Sequence, residues 1–188
     1  MKPPEVLSAS QVCGGTLSAA GVAALEHIGG KNGYTELEDP ERWSLESAAK
    51  RLEDSAVSDY ECSLYQEGDE SGRPLMTIEF MARKSHPDPA EAAKDREHDQ
   101  LFYPLGVYAS AKGYLATSLF FACPTERAEG KTSYVKADMY SAEKKMNADS
   151  TGKDRMTILN DISRAMAEEL GCAAQAQLPA EVPDALPG

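Results

Sequence analysis

The stretch Pro74-Leu75-Met76-Thr77-Ile78-Glu79-Phe80-Met81-Ala82-Arg83-Lys84 alternates in character with period two. Met76, Ile78, Phe80 and Ala82 fall on one side, and Thr77, Glu79 and Arg83 on the other. That is the signature of a strand with one face on a core and one face toward solvent. Asp59 to Gln66 alternates in the same way, with Tyr60, Cys62 and Leu64 inward and Glu61, Ser63 and Tyr65 outward. The intervening Gly68-Asp-Glu-Ser-Gly72 reads as a turn, so the two runs predict an antiparallel hairpin.

A second pair lies further on. Gly113 to Cys123 reads as a strand with Leu115, Leu119, Phe121 and Cys123 on one face, stopped by Pro124. Lys131 to Ser141 sets Val135, Ala137 and Met139 against Tyr134, Lys136, Asp138 and Tyr140, and the 124–130 stretch joins the two as a hairpin. Phe102 to Ala109 is ambiguous. A short extended piece at Tyr34 to Leu37 sits in an otherwise loop-like 30–42 stretch.

Helices flank the strands. Ser18 is an N-cap, Leu17 and Val22 form a hydrophobic staple, and Val22, Leu25 and Ile28 share a face that ends at Gly29-Gly30. Ser44 caps a second helix from Leu45 to Glu53, with Leu45, Ala48, Ala49 and Leu52 inward. The clearest helix opens with a Thr151/Asp154 capping box, carries the apolar stripe Met156, Leu159, Ile162, Met166 and Leu170, and stops at Gly171. Residues 85–100 form a solvated loop with a short helix from Ala90 to Glu97. Residues 1–12 are a polar lead-in and 173–188 a flexible Pro/Ala tail. The expected fold is therefore α+β, one domain over 13–172. An antiparallel sheet of four or five strands has helices packed on one face.

Composition narrows the function. The chain has 188 residues, 41% of them hydrophobic and 27% charged, which is ordinary globular usage. Nineteen basic against 31 acidic residues leave a net charge of −12, which disfavours nucleic acid and anionic membranes as partners. No apolar run is long enough to span a bilayer, so no direct membrane insertion is expected. Cys13, Cys62, Cys123 and Cys172 are even in number, dispersed, and lack a Cys-x-x-Cys pair, as in a disulfide framework of an oxidising compartment. Cys13 and Cys62 lie 49 residues apart, as do Cys123 and Cys172. Those pairings would staple a helix end to the sheet in each half, while the two other connectivities stay open. Residues Met1 to Glu5 are not a signal peptide. We expect a trimmed extracytoplasmic domain whose signal or anchor precedes Pro3, against the alternative of a cytosolic protein with buried thiols.

The run Cys13-Gly-Gly-Thr-Leu-Ser-Ala-Ala-Gly-Val-Ala-Ala-Leu25, then Tyr60-Glu-Cys62-Ser-Leu64, then Leu75-Met-Thr-Ile-Glu-Phe80, resembles a family of actinobacterial envelope lipoproteins of unknown function. Leu64 stands where that family often has Trp, and no lipobox cysteine is present. The resemblance covers roughly the first 80 residues. It implies an exported, membrane-attached domain and the Cys13–Cys62 pairing, and it supplies no catalytic residue.

Chemistry is sparse. His86, Glu91, Asp95 and His98, with Asp88 and Asp99, are the candidate metal ligands of the 85–100 stretch, read against a solvated acidic loop. Gly68 to Gly72 lacks a calcium loop's length and its terminal Glu. No nucleophile-elbow, zinc-protease or phosphate-loop motif occurs, and no cofactor is expected. Tyr65, Tyr108, Tyr114, Tyr134 and Tyr140 are assigned to strand faces opposite the core, where an interface or ligand groove would form. The expected function is a non-catalytic domain binding a protein or small ligand at the cell envelope. The alternatives are a secreted or envelope enzyme with a discontinuous site and a cytosolic acidic interaction protein.

Overall fold

A computed structural model describes residues 2–37, 41–54, 60–127 and 130–188. Seven strands form one antiparallel sheet: β1 (Tyr34–Glu36), β2 (Cys62–Gln66), β3 (Met76–Arg83), β4 (Gln100–Phe102), β5 (Tyr108–Lys112), β6 (Ala116–Arg127) and β7 (Gly130–Ser141). Their order across the sheet is β1-β2-β3-β7-β6-β5-β4. The helices are α1 (Ala19–Gly29), α2 (Leu45–Asp54), α3 (Pro89–Lys94), α4 (Gly152–Glu169) and α5 (Ala173–Ala176). The fold is α+β, with seven strands where the alternation announces four or five.

Beyond the two hairpins lie β1, at the place of the short extended piece Tyr34 to Leu37, and β4 and β5, which flank the ambiguous Phe102 to Ala109 stretch. β1 and β4 have three residues each, too few for a period to show. β5 is Tyr-Ala-Ser-Ala-Lys, whose inward residues are only the small alanines Ala109 and Ala111. Both read hairpins are present. Asp59, the expected start of β2, and residues 128–129, the tip between β6 and β7, lie outside the described residues. Pro124 does not end β6. The register shifts between Ala122 and Thr125, so a bulge accommodates the proline, and pairing continues to Arg127 opposite Gly130. Leu115 is not inward. It is 65% exposed in the turn between β5 and β6.

Register fixes the two faces. Cys62, Ile78, Met139, Thr117 and Ala111 align on one row, and Phe80, Ala137, Leu119 and Ala109 on the next. These side chains face α1, α2 and α4, and almost all are fully buried. The core is continuous from Leu7 and Val12 to Val182. Residues read as polar lead-in and frayed tail therefore take part in it.

Helix α4 is the hub of this layer, and its buried polar groups hold its neighbours. Asp161, 4% exposed, accepts hydrogen bonds from Ser18 N (2.9 Å) and Ser18 Oγ (2.6 Å), so it reinforces the N-cap of α1. A Cβ on Gly21 would collide with that carboxylate, which is why α1 carries glycine at the crossing. Asn160 Nδ2 donates to Pro179 O at 2.8 Å, and Leu186 N to Phe102 O at 2.8 Å. These bonds dock the tail where the composition suggested fraying. The Thr151/Asp154 capping box is formed. Asp154 also accepts from His27 on α1 at 2.8 Å, and the other ring nitrogen of His27 lies 2.9 Å from Asp149.

Both disulfides are present as Cys13–Cys62 (Cα–Cα 5.8 Å) and Cys123–Cys172 (Cα–Cα 5.3 Å). The first ties the chain ahead of α1 to β2. The second ties the bulge of β6 to the end of α4.

Candidate functional site

The uncovered face of the sheet is built from the outward residues of the same strands. Its middle is polar. Glu79 stands opposite Asp138, and Asp138 opposite Ser118, across β3, β7 and β6. Ser118 Oγ donates to Asp138 Oδ1 at 2.5 Å, and Lys136 Nζ lies 2.5 Å from Asp138 Oδ2. Asp138 is 2% exposed although no helix covers it. Burial, with help from the neighbouring Asp138 charge, pushes the Glu79 carboxyl above its usual range. The Asp138 charge likewise raises the Tyr140 phenol, with burial second.

Toward β4 the face becomes aromatic. Phe102 and Tyr108 meet edge-to-face at 6.1 Å, Tyr108 and Phe120 at 5.7 Å, and Lys136 Nζ sits 5.6 Å from the Phe120 ring centre. The 84–99 segment crosses this end. His86 packs edge-on to Tyr134 at 4.6 Å, and the Arg96 guanidinium lies 5.5 Å from the Phe102 ring centre. Asp88 caps α3 by accepting from Ala90 N and Glu91 N at 2.9 Å each, which sets the helix against the sheet edge.

Between α3, the β4–β5 connection and the tail lies a cavity of about 410 Å³. Its wall is formed chiefly by Pro89, Ala93, Phe102, Leu105, Tyr108 and Leu186, and Arg96 is its one charged residue among the described residues. Arg96 Nε is already engaged with Gln100 O at 2.9 Å. Gly106 adopts φ +58°, and a Cβ there would strike Phe120 O, so glycine lets this connection turn tightly against β6. Apolar walls from three separated chain segments suit a small apolar ligand rather than a reaction centre.

Of the five tyrosines, Tyr65, Tyr108, Tyr134 and Tyr140 lie on the open face, as their strand parity requires. Tyr114 does not. It sits in the β5–β6 turn against Arg155. The metal candidates are not brought together. Glu91 pairs with Lys94 at 2.6 Å, His98 with its own neighbour Asp99 at 2.6 Å, and His86 stacks on Tyr134, while Asp95 merely ends α3. Nearness in sequence did not become convergence, because His86 packs on Tyr134 while Glu91, Asp95 and His98 face solvent along α3 and its flank.

Among the described residues one group has metal-like geometry, Cys13, Glu36 and Cys62. Its sulfurs are consumed in the disulfide. Glu36 Oε1 accepts from Cys13 N at 2.5 Å and Oε2 from Arg42 Nε at 3.1 Å, so this buried carboxylate braces a corner of the fold. Sequence reading missed the cavity residues Arg96, Phe102 and Leu186. The usable signal was the apolar Leu186-Pro187 at the end of the Pro/Ala tail. No family model, curated protein or solved structure matches the chain.

Proposed function

We propose that this chain is a non-catalytic, extracytoplasmic domain that binds a small apolar ligand at the cell envelope, using the cavity between α3, the β4–β5 connection and the tail. The observation that carries the reading is the convergence of apolar side chains from three distant segments on a volume of about 410 Å³. That size lies within the range of small-molecule pockets. The address rests on the two disulfides, which persist outside reducing compartments. Membrane attachment rests on the resemblance to actinobacterial envelope lipoproteins, since no helix among the described residues is long and apolar enough to cross a membrane.

The test is a titration with N-phenyl-1-naphthylamine, an uncharged apolar probe. Saturable fluorescence enhancement is expected, lost in Tyr108→Ala and Leu186→Asp. Absence of saturation, or variants that bind as well as the parent, overturns the ligand reading. Thiol titration in denaturant on protein from its native producer tests the address. No reactive thiol is expected, and four would return the chain to the cytosol.

One observation favours an envelope enzyme as the second reading: a serine hydroxyl aimed at a buried carboxylate, beside Glu79, whose pKa burial raises. Ester hydrolysis abolished by Ser118→Ala would establish it.

A further inference from the structure

A second cavity, of about 400 Å³, opens on the other side of the β4–β5 edge, at the N-terminus of α4. Gly152, the first residue of that 18-residue helix, lines it. The end of a long helix carries partial positive charge and free N–H groups.

A helix end alone selects nothing, but Arg155 lines the same cavity. It is 3% exposed and lies on the face of α4 that also carries Leu159, Ile162 and Met166. One amino group, Nη2, donates to Gly113 O in the β5–β6 turn, and the guanidinium rests 5.8 Å from the Tyr114 ring centre. Nε and Nη1 have no hydrogen-bond partner among the described residues, and no carboxylate there forms an ion pair with Arg155. Ser150 Oγ, on the same wall and 9% exposed as a residue, also lacks a partner.

A guanidinium removed from water without an ion-pair partner is costly, and burial lowers the Arg155 pKa from its ordinary value. Such an arrangement calls for an anion. Asp154 favours the charged guanidinium through space, but no acid among the described residues forms an ion pair with it. Asp99 at the rim is paired with His98, and Asp154 is occupied by Thr151 and His27.

We propose that this cavity is an anion-binding site for the carboxylate or phosphate group of a small molecule, with Arg155 as its charged anchor, Ser150 as a second donor and the α4 N-terminus behind them. Nε and Nη1 remain as separate charged donors, and a guanidinium donor suits either oxyanion. Leu101 and Tyr114, both partly exposed, flank the mouth and would rest against the body of the ligand. The site is separate from the apolar cleft and does not depend on it.

The experiment is thermal melting of the full chain in sodium phosphate and in sodium benzoate, each against sodium chloride at equal ionic strength. A saturable rise in Tm is expected with at least one of the two. It should vanish in Arg155→Met and persist in Lys131→Met, which removes an exposed charge elsewhere. A stronger response to benzoate assigns a carboxylate, and a stronger one to phosphate assigns a phosphorylated ligand; both uphold the site. A readout independent of the variant is the Arg155 Nε–H resonance of the parent, which should shift along the same titration. No oxyanion-specific rise, an equal rise in Arg155→Met, or an unmoved Nε–H signal overturns the proposal.

Discussion

The two faces of the sheet are made by alternate residues of the same strands, yet they are buried by different means. On the covered face Leu119 and Phe121 are fully buried beneath the helix layer. On the open face Phe120, the residue between them, is 6% exposed with Lys136 and Tyr108 against its ring. Asp138 is as hidden there as a core methionine, with Ser118 donating to Oδ1 and the Lys136 ammonium offsetting its charge at Oδ2. Burial by a second layer demands apolar surface and dense packing. Burial by lateral neighbours permits charge, provided each polar atom finds a partner. The open face is therefore the one with chemistry to offer, and the covered face the one with stability to lose.

The sharpest way to break this contrast is to truncate adjacent phenylalanines. Phe121→Ala leaves a cavity under the helices and should cost about 3–5 kcal/mol. Phe120→Ala can relax into solvent and should cost about 1 kcal/mol. Urea denaturation of the two variants measures the difference, and equal losses would mean the open face is a packed core in its own right. A second pair compares carboxylates of similar burial. Asp161→Ala strips the reinforced cap from α1 and should cost about 1–3 kcal/mol. Asp138→Ala frees Ser118 and Lys136 to meet water and should cost less than about 1 kcal/mol. It should also lower the Glu79 pKa in an NMR titration, since Asp138 is among the groups that raise it.

How much of this was legible beforehand follows from the kind of contact involved. Strands β3 and β7 showed themselves because each buries one face, so their alternation had to be written in side chains. Ser18, Thr151 and Asp154 were readable as caps because capping is local. The four cysteines were readable as a set, and their partners only as one of three connectivities. The tail was hard to read, because its apolar residues Val182 and Leu186 are scattered without a period and its docking bonds use backbone groups, Pro179 O and Leu186 N, which composition does not encode. The apolar cavity was hidden for a related reason, since its walls come from segments up to a hundred residues apart. Arg155 left a trace that went unread: it occupies the position on the α4 stripe one turn before Leu159, where an apolar residue is the rule.

The smallest expected effects distinguish the helix layer from the sheet by pH. His27 joins α1 to α4, and its hydrogen bonds to Asp149 first and Asp154 second raise its pKa above the ordinary 6.5. A raised pKa means the folded state holds the proton more tightly. This contribution is therefore complete below pH 6.5 and fades as pH climbs through the folded value. Asp69, in the β2–β3 turn, is held down to about 2, chiefly by its hydrogen bond from Lys145 and then by Ser71. Its contribution is complete above the ordinary 3.8 and fades as pH falls toward 2. Melting temperatures across pH should show His27→Gln differing from the parent below neutrality and converging on it in mild alkali. Asp69→Asn should differ above pH 4 and converge in acid. Both groups touch solvent, so each shift should be only a few degrees and should shrink with added salt. Convergence at the same end of the scale for both variants would show that the two latches do not act as separate holds on helix layer and sheet.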